Sequence, residues 1–149
     1  MRFRAGKRVL GEIVAIRDLQ RIAAEAEATS AAQIVEEKKS DLSQSEIKRQ
    51  STEENWRRAL SAQSIPLGVL GLWSAELLRD DRAVEKAASE VAGASLDLER
   101  CSRNWHLASL RCDSATLLYR KAAKDEAGKM DEKRSQDALD RFAQEGGAL

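Results

Sequence analysis

Residues 84–122 read VEKAASEVAGASLDLERCSRNWHLASLRCDSATLLYRKA. Alternate steps of three and four through this stretch land on Val84, Ala87, Val91, Ala94, Leu98, Cys101, Trp105, Ala108, Cys112, Ala115, Tyr119 and Ala122, and on no charged residue. A mean spacing of 3.5 keeps one face of an α-helix turned toward a partner helix and predicts a left-handed supercoiled pair. At about 1.5 Å per residue the stretch extends roughly 58 Å. The working seam is carried by Val84, Val91, Leu98, Cys101, Trp105, Cys112 and Tyr119.

Composition agrees with a helical chain. Of 149 residues, 24 are Ala, 34% are charged and only 4% are aromatic, so helix formers abound and large core-filling side chains are scarce. The 25 basic and 25 acidic residues cancel, which argues against a dedicated nucleic-acid binder. Arg2, Arg4, Lys7 and Arg8 form one local basic cluster, beside Phe3. No apolar run is long enough to span a membrane, and Gly11, Glu12 and Arg17 interrupt the apolar residues that follow the basic start, so neither membrane insertion nor secretion is expected. The expected location is the cytoplasm.

One break divides the chain. Pro66, with Gly68 and Gly71 after it, predicts the end of a first helix by Ser64. A second helix is expected to start at Ser74, capped by its hydroxyl, with Trp73 packing on Leu78. The first helix then covers about 8–62, the loop about 63–73 and the second helix about 75–145, where Gly146 and Gly147 stop it. On the first helix Ile13, Ile16, Leu19, Ala23, Ala26, Ile34, Leu42, Trp56 and Leu60 are the expected apolar positions. The segment around Ser40–Thr52 is the weakest, since only Leu42 and Ile47 are apolar between Lys38 and Asn55. The apolar residues around Pro66 either close over the helix ends or form an exposed contact tip.

A short connection reverses direction, so the expected fold is all-α: a long antiparallel two-helix coiled-coil hairpin, the second helix longer. With Leu60 near Trp73, the register brings Trp56 to Leu77, Leu42 to Val91, Ile34 to Leu98 or Glu99, Ala23 to Leu110 and Ile13 to Arg120, each within about a turn.

Catalytic chemistry finds little support. His106 is the only histidine and reads as a surface residue. Cys101 and Cys112 lie too far apart on one helix to bridge and lack the spacing of a metal site. No cofactor, no metal and no catalytic residue is expected. Recognition is the better reading: Leu96, Leu107, Leu110 and Leu117 fall on one stripe opposite the seam and are the candidate partner-binding residues. A homodimer, with these leucines as the core of a four-helix bundle, is the competing explanation.

The outline resembles the FliJ/YscO family of flagellar and type III secretion export. The resemblance rests on the basic N-terminal cluster, two long helices, the break at Pro66, the longer second helix and the charged segment Lys129–Arg134, in which Met130, Asp131 and Glu132 are similar to a hydrophobic-Asp-Glu element late in many members. It implies a non-enzymatic stalk whose terminal end enters the ring of a hexameric export ATPase, while its body or tip meets export-gate or chaperone proteins at the inner-membrane apparatus. A generic coiled-coil adaptor or scaffold shares these features.

Overall fold

The computed structural model describes residues 6–61 and 66–147. Two α-helices account for nearly all of them: α1 (Lys7–Leu60, 54 residues) and α2 (Leu67–Gly146, 80 residues). The fold is an all-α helical hairpin with the second helix longer. Its residues cluster into two compact units, a terminal unit of Met1–Ala23 with Trp105–Leu149 and a turn unit of Ala24–Asn104.

Within each unit the helices run antiparallel. In the terminal unit Lys7 Nζ lies 3.6 Å from Glu126, and Cys112 Sγ lies 4.0 Å from Asp18 Oδ1. In the turn unit Lys38 Nζ reaches Glu90 at 3.3 Å, and the Thr52 hydroxyl donates to Asp80 Oδ2 at 2.7 Å. The expected register holds where Trp56 and Leu77 line one cleft. Further along, Lys38 pairs about a turn away from the position that register assigns it.

The face that α1 buries keeps Leu42 and Trp56 of the expected positions and otherwise differs. The buried or half-buried residues include Val14, Arg17, Arg21, Ala24, Ala28, Ala31, Val35, Lys38, Leu42, Ser45, Thr52, Trp56 and Ala59, which follow alternating steps of three and four apart from the exposed Arg49; Leu10, Gly11, Asp18, Ala32 and Glu53 flank them half-buried. Ile13, Ile16, Leu19 and Ile34 are exposed, as are Ala23, Ala26 and Leu60. Geometry gives the reason. Steps of three turn by about 300° each, so Ile13, Ile16, Leu19 and Ile22 wind around the helix instead of lining one side. A seam of period 3.5 runs between them, through polar residues.

The Ser-rich segment of α1 is continuous helix. In place of apolar packing it has cross-helix polar bonds: Lys48 to Asp80 at 3.7 Å, Arg49 to Asp81 at 2.6 Å, and Thr52 to Asp80. Asp80 occupies a seam position four residues before Val84 and is 3% exposed. A carboxylate so placed is stabilised only while its partners satisfy it.

The start of α2 also departs from expectation. The helix begins at Leu67, and the Pro66 carbonyl accepts from the amides of Val69 and Leu70 at 3.0 and 3.4 Å. Proline suits this position because the first turn of a helix leaves its amides unpaired anyway. Ser74 is therefore an exposed interior residue and caps nothing, and Leu78 is exposed as well. The expectations placed on Arg2, Phe3, Arg4, Ser64 and Ile65 lie outside the described residues. Gly11, inside α1, packs against the Tyr119 ring, 3.4 Å from where a Cβ would stand.

Two outcomes are expected in urea unfolding followed by circular dichroism. Thr52→Val removes the hydroxyl from Asp80 and destabilises by about 1–3 kcal/mol, and adding Asp80→Leu recovers that loss, since an apolar pair replaces an unsatisfied carboxylate. Gly11→Ala stabilises by up to about 1 kcal/mol, because helix propensity improves and the ring contact is only van der Waals.

Candidate functional site

A two-helix seam buries few side chains. Ala31, Val35, Ala87, Cys112 and Ala115 are the buried apolar residues among those described, all small. Of the expected α2 seam, Val84, Val91, Leu98 and Cys101 in the turn unit are half-buried; in the terminal unit Cys112 is buried, Tyr119 half-buried and Trp105 38% exposed. Leu70, Trp73 and Leu77 continue the same face toward the turn.

Cys112 sits beside Asp18, whose Oδ1 accepts from Arg21 Nε and Nη2 at 3.1 and 2.8 Å. That hydrogen bond and the carboxylate's charge raise the Arg21 pKa above its ordinary value. The thiol and the ion pair thus form a polar layer in the terminal unit. Among the described residues no group of three or more His, Cys, Asp or Glu could hold a metal ion, and His106 is exposed. In the turn unit Arg49, Glu53, Trp56, Arg57, Leu77 and Asp81 line an open cleft of about 350 Å³. Its cations are already paired, Arg49 with Asp81 and Arg57 with Glu53, while the Trp56 indole nitrogen is buried without a hydrogen-bond partner. The Arg49–Asp81 contact belongs to helix pairing, and Arg57–Glu53 lies within α1.

Apolar surface is the larger feature. In the turn unit Leu96 is 66% exposed, and Leu67 and Leu72 are exposed near the turn. In the terminal unit Leu107, Leu110, Leu117 and Leu118 are all more than half exposed on α2, and Val9, Ile13, Ile16, Leu19 and Ile22 are exposed on α1. Sequence reasoning finds Leu96, Leu107, Leu110 and Leu117 by their position opposite the seam, but not Leu118. On α1 it takes Ile13, Ile16 and Leu19 as apolar positions of the pairing helix and singles out neither Val9 nor Ile22.

Charge is distributed unevenly beneath the overall neutrality. Across residues 7–23 and 105–124, Lys7, Arg8, Arg17, Arg21, Arg111, Arg120, Lys121 and Lys124 face only Glu12, Asp18 and Asp113 as acids. Residues 125–146 reverse the balance, with seven acidic and four basic residues, every one exposed. The terminal unit therefore presents an apolar, basic stretch and then an acidic one along a single helix.

No protein-family model, curated protein or solved structure matches the chain. No helix among the described residues is long and apolar enough to cross a membrane. The class of protein rests on its fold and surface: a helical hairpin with apolar side chains left in solvent.

Because Leu107 and Leu117 are exposed in the isolated chain, the double substitution Leu107→Ser and Leu117→Ser should change the unfolding free energy by less than about 0.5 kcal/mol per site, whereas Val35→Ala in the seam costs about 1–2 kcal/mol. Equal losses in thermal or urea melts would show that the outer leucines are already covered.

Proposed function

We propose that this chain is a non-enzymatic stalk component of a flagellar or type III secretion export apparatus, cytoplasmic and peripheral to the inner membrane. The observation that carries the reading is the unequal hairpin. In the terminal unit Lys7, the first residue of α1, pairs with Glu126, and α2 continues for a further 20 residues, 127–146, all exposed. A stalk works by mechanical contact, and a helix that outlasts its partner can enter a ring that the pair cannot. The ring is that of a hexameric export ATPase. Export-gate or chaperone proteins take the apolar surface near the turn, where Leu67 and Leu72 are exposed. No nucleic acid, cofactor or metal takes part.

A second reading is a cytoplasmic coiled-coil adaptor that self-associates into a bundle. It is favoured by the exposed leucines of the terminal unit, which are the kind of side chain a second helical hairpin covers.

Purified chain added to the export ATPase of the same organism should raise ATP turnover and shift the ATPase toward its hexamer, and truncation after Glu126 should abolish both effects. No binding and unchanged turnover would reject the stalk reading and leave the adaptor.

A further inference from the structure

On α2 of the terminal unit a second 3-4 stripe runs on the side away from α1. It starts as Leu107, Leu110, Ser114 and Leu117, then passes Lys121 and Lys124. Without a change of spacing it continues through Gly128, Asp131, Ser135, Ala138 and Phe142. All of these residues are exposed, and at Gly128 a Cβ would meet nothing within 4 Å. A coiled-coil helix needs one seam for its partner, and α1 already occupies the other one. Two seams on one helix call for a second partner helix.

The stripe is complementary to itself. A two-fold axis between Lys124 and Asp125 sets Leu107 opposite Phe142 of the second copy, Leu110 opposite its Leu139, and Ser114 opposite its Ser135. Lys121 meets Gly128, whose missing side chain leaves room for the lysine stem. Leu117 and Leu118 fall opposite Glu132 and Asp131, within a turn of Arg120 and Lys121, so the partner's carboxylates find cations there. The sign of the charge changes at the axis: residues 105–124 hold Arg111, Arg120, Lys121 and Lys124 against Asp113 alone, and the residues beyond it are net acidic. Antiparallel pairing sets the basic half of each copy against the net acidic half of the other, with Arg120 opposite Lys129 as the one like-charge pair, while parallel pairing stacks like on like.

We propose that two copies of this chain form a dimer through an antiparallel α2–α2 contact over residues 107–142. Each copy supplies the partner helix that the other's exposed segment beyond Glu126 lacks. The contact is isologous, so every interaction occurs twice. The dimer does not rest on the export reading: it covers the segment beyond Glu126 that a ring would otherwise take, so the two are alternative ways of occupying it, and the dimer is tested without an ATPase.

Sedimentation velocity of the full chain should show a monomer–dimer equilibrium. Leu110→Asp should raise the dissociation constant by about 100-fold with helicity unchanged, since the two-fold removes the contact twice. Geometry is read by a short bismaleimide cross-linker in a Cys101→Ala, Cys112→Ala background. Lys124→Cys, next to the axis, should cross-link to its own counterpart, and Leu107→Cys mixed with Phe142→Cys should give the heterologous pair. Phe142→Cys alone should not cross-link. A chain monomeric at every concentration, a dimer indifferent to Leu110→Asp, or efficient cross-linking of Phe142→Cys to itself would each overturn the proposal. Should Leu110→Asp lose helicity, the cross-linking pattern alone decides.

Discussion

One seam has to hold everything. With two helices and no further element among the described residues, each turn of α1 can bury about one side chain against each turn of α2, and a missed layer has no second core to fall back on. The chain meets this constraint with small residues. Ala31, Ala87, Cys112 and Ala115 are nearly covered because small side chains let the helix axes approach closely, and among the described residues no large side chain is fully buried. Such thin layers contribute little each, so intrinsic helix propensity, with its many Ala, Glu, Lys and Arg, carries an unusual share of the stability.

Polar layers within the seam set the alignment. An apolar seam of alanines tolerates slippage by a heptad, because each layer resembles the next. Asp80 with Thr52 in the turn unit, and Asp18 with Arg21 and Cys112 in the terminal unit, do not. A slip of seven residues that brings Ala59 to Asp80 would leave the carboxylate buried without a hydroxyl donor, which costs more than the pair contributes when correctly aligned; the opposite slip brings Ser45 there in place of Thr52. Arg49–Asp81 and Lys38–Glu90 add direction at the rim, though exposed pairs of this kind are worth at most about 1 kcal/mol. These polar contacts also explain how α1 stays helical through a stretch almost without apolar residues.

Function follows from what the seam leaves uncovered. A two-helix pair can hide only one side of each helix, and this chain places leucines and isoleucines on the remaining sides of both in its terminal unit. Neutral total charge conceals a basic stretch followed by an acidic one on α2, so the outer surface carries polarity along its length. Stalk, adaptor and dimer are all ways of covering that surface, and they differ in which partner arrives.

Read without coordinates, the chain shows its class and the face that α2 buries, because Val84–Ala122 keeps a strict apolar period, and a single proline marks one reversal. It also shows Leu107, Leu110 and Leu117 as leftovers of that period. The seam of α1 stays hidden. Arg17, Arg21, Lys38, Ser45 and Thr52 interrupt its apolar positions, while several residues that look like core, Ile13, Ile16 and Ile34, are exposed. Local hydrophobicity does not reveal such a seam: Lys38 and Thr52 are held by partners on the other helix, Glu90 and Asp80, while Arg17 and Arg21 bond Gln20 and Asp18 on α1 itself. Periodicity is a property of one helix and can be read along the chain; the pairing that makes a buried carboxylate or a half-buried lysine acceptable belongs to two helices, and only the tertiary structure brings them together.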